Sequence, residues 1–175
     1  MACNLTAAIS LDCLDSIGGI RTLYVSTDFD YTTVTAGATA GITALSGGTG
    51  TFYQIQVAKD VASFTETFNV SNTNGTAYFD QAVTIPVQHL SSEKRQQIQL
   101  LAYNRASRVV FEDNNGLFWL AGLTRGCVLT TGTTTTGTAV GDANQYSFVL
   151  SGQEPEMAYQ VNTLASLTGT TFVNA

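Results

Sequence analysis

Charge is scarce in this sequence. Asp, Glu, Lys and Arg together make up 11% of its 175 residues, against about 25% in a typical soluble domain. So little charge hints that much of the surface is covered by copies of the same chain. Positive charge is scarcer still: seven Lys and Arg stand against thirteen Asp and Glu, for a net charge of −6. A sequence pI near 4.4 argues against a partner held by its phosphates and against an anionic membrane surface. It is compatible with DNA that passes by without sticking.

Other shortages remove whole classes of chemistry. There is one histidine, His89, which leaves no convincing Ser–His or Cys–His pair for nucleophilic catalysis and too few imidazoles for zinc. The three cysteines, Cys3, Cys13 and Cys127, form no CxxC pair and cannot complete a disulfide set, so reduced thiols of a cytoplasmic product are expected. No stretch approaches the roughly 18 apolar residues of a membrane-spanning helix. The start, MACNLTAAISLDCLD, lacks a basic n-region and carries Asp12 and Asp15, so it is not expected to act as a signal peptide. GxxxxGK[ST] and a strand-borne GxGxxG are both missing. The acidic pairs Asp12/Asp15 and Asp28/Asp30 lack calcium-loop spacing and read as solvated carboxylates. The expectation is a protein with no catalytic set, no cofactor and no metal.

What is present is threonine and glycine, with apolar residues at 44%, a balance that suits strands and turns. Strands are expected at residues 20–25, 51–58, 109–113, 117–122 and 146–150. Residues 32–50, rich in Thr, Ala and Gly, read as a long loop, and TTGTTTTGT at 130–138 as a second, low-complexity loop.

The clearest feature is a hairpin over about 62–87, where Asn74-Gly75 separates two alternating runs. With those two residues as a two-residue turn, Val70 faces Phe79 and Phe64 faces Ile85. Phe64, Phe68, Val70, Phe79, Val83 and Ile85 then share an apolar face, interrupted by Glu66 and Gln81. The other face holds Thr65, Thr67, Asn69, Ser71, Tyr78, Asp80, Ala82 and Thr84. It is polar and small and carries no positive charge.

One helix is expected, at about residues 91–104. Ser91 or Ser92 caps it, Glu93 lies in its first turn, and Ile98, Leu101 and Ala102 form its apolar stripe beside Leu100. Lys94, Arg95, Arg105 and Arg108 put four of the seven basic residues on or just after this helix, either as a solvated face or as a patch that meets acidic residues of a neighbouring subunit. Near the end, GDANQYSFVLSGQEPE (141–156) places Asp142 at a turn and Glu154 and Glu156 after a strand, with no base, nucleophile or third ligand nearby. It reads as turn, strand and chain exit.

The order of these features, with SSEKRQQIQLL opening the helix, VVFEDNNGLFWLAG forming the following strand pair and TGTAVGDANQYSFVLSGQEPE closing the series, resembles the tail tube (major tail) proteins of bacteriophages, particularly phages of Bacteroidetes hosts. The resemblance covers about residues 50–160. It implies a mainly β fold, a β-sandwich or barrel with one flanking helix. The chain as a whole reads as a single domain with an N-terminal arm (1–19), a long loop (32–50) and a C-terminal arm (157–175). The resemblance further implies six copies in a ring whose inner sheets join into one β-barrel, rings stacked into a hollow conduit for DNA, contacts with other phage tail proteins, and a place in the virion tail after assembly in the bacterial host cytoplasm. The polar hairpin face would line the bore, and Lys94, Arg95, Arg105 and Arg108 would lie near subunit contacts. Two alternatives stand beside it: another virion part of similar fold, such as a head–tail connector, tail terminator or capsid decoration protein, and a β-sandwich binding module.

Overall fold

The structure is a computed structural model that describes residues 8–9, 11, 13–31, 33–36, 42–46 and 49–175. In chain order its strands are β1 (Ile20–Ser26), β2 (Thr33–Ala36), β3 (Ile42–Ser46), β4 (Gly50–Gln54), β5 (Ser63–Ser71), β6 (Thr76–Gln88), β7 (Arg108–Asp113), β8 (Phe118–Ala121), β9 (Val128–Thr135), β10 (Gln145–Glu154), β11 (Tyr159–Val161) and β12 (Thr170–Val173). The helix α1 (Ser92–Tyr103) falls between β6 and β7. The strands form two sheets. One has eight strands in the order β12-β4-β1-β7-β8-β11-β3-β2, and the other has four in the order β5-β6-β10-β9. The molecule is a β-sandwich with one flanking helix.

The four-stranded sheet grows from the β5–β6 hairpin. Its turn is not the two-residue kind: Ser71 pairs with Thr76, Val70 with Ala77 and Phe64 with Val83, which leaves a four-residue connection, Asn72–Gly75. A type I′ turn needs positive φ at both central residues. Gly75 has φ of 63°, whereas Asn74 is not among the described positive-φ residues. The Ser71 hydroxyl instead accepts from the Asn74 N–H at 3.3 Å. The register moves by two places, so the alternation keeps its phase and every expected face residue stays on its face.

Alternation then builds the main core. Val83, Ile85 and Val87 of β6 and Phe148 and Leu150 of β10 point inward against Leu23 and Val25 of β1, Val109 and Phe111 of β7 and Ala121 of β8. Each fully buried side chain of this kind contributes about 1.5–3 kcal/mol. Residues of the opposite phase in the large sheet feed a second core on its far face. Tyr24, Phe52, Val110, Leu120 and Val161 pack there with Phe29, Leu123 and Leu167 from the connections.

Three expectations change at the ends and loops. Residues 130–138 were expected as a loop, but β9 runs through Thr135 and pairs with β10. Threonine suits a strand even without apolar alternation, and the finished ladder of β10 supplies the partner. The segment 32–50 holds the antiparallel pair β2 and β3, while its residues 32, 37–41 and 47–48 lie outside the described residues, as do 1–7, 10 and 12 of the expected N-terminal arm. The expected C-terminal arm, 157–175, is instead part of the large sheet: β11 pairs with β8 and β12 pairs in parallel with β4. Burial of Val161 and Leu167 in the second core anchors it.

The hairpin tip also differs. Phe68 and Val70, expected in the core, are 58% and 68% exposed. β10 pairs with β6 only as far as Phe79, so from there to the tip the hairpin continues as a two-stranded ribbon. Phe68 meets Phe79 edge-on at 5.4 Å instead.

Candidate functional site

The outer face of the four-stranded sheet is the most unusual surface of the molecule. Directly opposed residues share a face. Thr67 pairs with Asp80 and Asp80 with Gln153, while Thr65 pairs with Ala82 and Ala82 with Ser151. One row further, Ser63 pairs with Thr84, Thr84 with Val149, and Val149 with Thr131. Asn69, Ser71 and Tyr78 continue the face towards the hairpin tip. The eight expected residues are therefore brought together, and β9 and β10 extend their surface with Thr131, Thr133, Ser147 and Ser151. None of the four strands contains a lysine or an arginine. Asp80 is the charged residue of this face, and Asn69 Nδ2 donates to its carboxylate at 2.7 Å.

Both edges of this sheet are open. Among the described residues β5 and β9 each pair on one side only. An edge strand usually carries charge, proline or a cover that blocks pairing with another chain. β9, VLTTGTTT, has neither charge nor proline. Its single irregularity is a bulge at Thr130, whose hydroxyl meets that of Ser151 at 3.1 Å.

The two polar exceptions on the inner face turn out to be structural. Gln81 is buried and its Oε1 accepts from the Gly122 N–H at 2.9 Å, while its Nε2 donates to Glu66 at 2.9 Å and to the Glu156 carbonyl at 3.3 Å. Glu66 also accepts from the Ala158 N–H at 2.8 Å. Glu154, buried at the end of β10, accepts from the N–H groups of Thr124, Arg125 and Gly126 at 3.1, 2.7 and 3.0 Å. These groups clamp the 122–126 turn and the chain after β10 onto the small sheet. The sequence signal for them was the break of apolar phase at Glu66 and Gln81; the partners come from segments distant in the chain.

α1 lies against β9. Ser91 caps it, accepting from the Lys94 N–H at 3.2 Å. Leu101 is buried and Ile98 packs against the main core, but Ala102, expected in the stripe, is exposed. It sits a quarter-turn from the Leu101 contact line. The four basic residues divide into two pairs. Lys94 donates to the carbonyls of Gln88 and His89 at 2.7 and 3.3 Å, and Arg108 to that of Ala106 at 2.9 Å. The side chains of Arg95 and Arg105 are exposed and make no ion pair or hydrogen bond among the described residues.

The residues weighed for chemistry are scattered. His89 is exposed with φ of 66°, and its N–H donates to the Asn144 carbonyl at 2.8 Å. Asp142 accepts from the N–H groups of Ala139 and Thr138, which hold its carboxyl below the usual range. The Thr51 N–H and the Ser26 hydroxyl do the same for Asp28. Burial, followed by the nearby Glu154 charge, pushes the Cys127 thiol up to about 12, so it stays protonated and unreactive. Among the described residues no three His, Cys, Asp or Glu side chains are grouped to hold a metal, and no helix is long and apolar enough to cross a membrane. The chain matches no protein-family model, no curated protein and no solved structure.

Proposed function

We propose that the protein is a structural subunit of a phage tail tube, that its copies join through the open edges of the four-stranded sheet into rings, and that stacked rings form a conduit for DNA. The observation that carries this reading is the combination on one sheet of a cation-free, short-chained polar face and two open edges, one of which, β9, has neither charge nor proline. A solvent-facing sheet normally carries mixed charges for solubility. A bore for DNA needs their absence, because each Lys or Arg that neutralises a phosphate releases counterions and holds the strand. Edge-to-edge pairing removes the exposed edges in the way closed barrels do.

The dimensions suit the role. Four strands from each of six copies, the number the family resemblance implies, make about 24 strands. At about 4.8 Å per strand the closed sheet is about 115 Å around, or about 37 Å across. Side chains as short as Thr, Ser and Ala leave most of that width open to a duplex. Asp80 adds negative potential that repels phosphates.

Negative-stain microscopy of the purified protein is the first test, with long hollow tubes as the expected product. Discrete rings would favour a connector or terminator, and a persistent monomer would overturn the reading. In assembled tubes, Thr67→Cys should react with a small thiol reagent and resist one too large to enter the bore. Labelling by the large reagent along intact tubes would put this face outside.

A further inference from the structure

We infer that the outward face of α1 on one copy docks into the groove beside β5 of the next copy, so that neighbours in the assembly are held by a side-chain interface as well as by sheet pairing. The inference rests on the edge-to-edge arrangement proposed above.

The two surfaces lie at opposite edges of the small sheet. α1 packs against β9 and closes the sandwich on that side. On the β5 side a groove of about 450 Å³ lies between β5 and the β7–β8 pair, walled in part by the 16–20 segment and lined by Phe64, Glu66, Phe111, Asp113, Trp119 and Met157. The displacement that brings the β9 edge of one copy to the β5 edge of the next therefore carries the helix to the groove.

The helix face fits that destination. At 100° per residue, Leu101, Ile98 and Lys94 define the side turned to the body, and Ser92, Gln96, Gln99, Leu100 and Tyr103 define the opposite side. A helix facing water normally presents charged residues there. This one presents glutamines and two large apolar groups, with Leu100 57% and Tyr103 73% exposed. Aromatic residues with few charges mark the core of an interface. Gln99 Nε2 donates to the Tyr103 hydroxyl at 3.2 Å and holds the ring in place.

Charge agrees. Arg95 and Glu93 flank the outward face on its two sides and Arg105 follows the helix; both arginine side chains are exposed and hold no ion pair or hydrogen bond among the described residues. The groove lining holds two carboxylates, Glu66 and Asp113, and no cation. Both carboxylates already accept hydrogen bonds from their own chain, but each oxygen accepts more than one. Met157, 50% exposed, and the Trp119 ring offer the apolar floor for Leu100 and Tyr103.

The test is disulfide trapping between two batches of protein, one carrying Tyr103→Cys and the other Met157→Cys, both with Cys3 and Cys13 replaced by serine. Cys127 is buried and stays silent. Both new cysteines replace exposed side chains, and circular dichroism confirms that each variant folds; Leu100→Cys substitutes for Tyr103→Cys should that one not fold. Mild oxidation of the assembled mixture should give a two-chain product that neither batch gives alone, and the double variant should give a ladder of multimers. Arg95→Glu in the double variant should lower the ladder yield by about tenfold at low salt, with the difference fading as salt screens the pair; an unchanged yield contradicts the charge pairing. Intact tubes that give no cross-link overturn the docking and leave the tube reading standing. A ladder without tubes overturns the tube reading and keeps the docking. Folded protein that neither cross-links nor assembles overturns both.

Discussion

At the scale of single residues, the buried polar groups explain more of the molecule than the exposed acids do. Glu154 ends β10 inside the protein and satisfies three backbone N–H groups of the 124–126 turn. Glu154→Ala strips all three of their acceptor, and a buried donor left unpaired costs about 1–3 kcal/mol. The expected loss is about 3 kcal/mol or more in urea unfolding, with no change in the helix signal of the folded state. Asp28 gives a pH prediction. The Thr51 N–H and the Ser26 hydroxyl donate to its carboxylate and favour the charged form, so its folded pKa lies below its ordinary value. Such a group adds stability that is complete above its unfolded pKa and is lost as pH falls through the lower folded value. Asp28→Asn should therefore lower stability at neutral pH and flatten its decline from about pH 4 downwards, measured as midpoints of denaturant unfolding across that range. Parallel decline in both proteins would remove Asp28 from the acid response.

At the scale of elements, close approach decides what alternation alone cannot. β10 passes so near the 122–127 turn that a Cβ on Gly152 would lie 2.5 Å from the Gly126 carbonyl oxygen. The turn itself needs Gly122 and Gly126 at φ of 72° and 83°. Neither backbone has room to move, because Gln81 and Glu154 bind the same turn. Gly152→Ala should cost about 1–3 kcal/mol by overpacking, while Gly141→Ala, where nothing lies within 4 Å, should cost little. Comparable losses from the two, read from thermal midpoints, would contradict this account. The hairpin makes the complementary point. Its turn length differs from the Asn-Gly expectation, yet its faces are unchanged, since a two-place shift preserves the phase of a period-two strand.

At the scale of the whole molecule, charge is unevenly spread. The four strands of the small sheet hold no cation, whereas Arg95 and Arg105 are exposed on and just after α1. Thr67→Lys places a cation on the proposed bore without touching the core, since Thr67 is exposed. It should leave folding and assembly intact and raise the retention of DNA by the tubes, steeply at low salt and weakly at high salt. Equal retention by the wild type and the variant across the salt range would mean that this face does not meet DNA. The exposed apolar side chains of the N-terminal segment, Ile9, Leu11, Leu14 and Ile17, also belong to this scale. Asn115 ties that segment to the body through both backbone groups of Ile17, at 2.8 and 3.0 Å.

The amino-acid sequence by itself determined the elements whose signal is local. The hairpin over 62–87, the helix with its Ser91 cap, the strand pair around Asn114-Asn115-Gly116 and the two faces of β5 and β6 were legible because period and turn chemistry act within a few residues. The sequence also set the scarcity of cations, which no fold could change. Tertiary structure alone decided the rest. Thr130–Thr135 became a strand because β10 offered a ladder, and the segment after Met157 joined the large sheet because Val161 and Leu167 found the second core. Ala102 turned outward because the helix meets the body along the line of Leu101. Glu66, Gln81 and Glu154 looked like breaks in an apolar face or like free acids. Their partners, at Gly122, Ala158 and the 124–126 turn, lie 28 to 92 residues away along the chain. A buried polar group depends on groups that only the folded chain brings within hydrogen-bonding distance, and no local pattern of residues encodes that meeting.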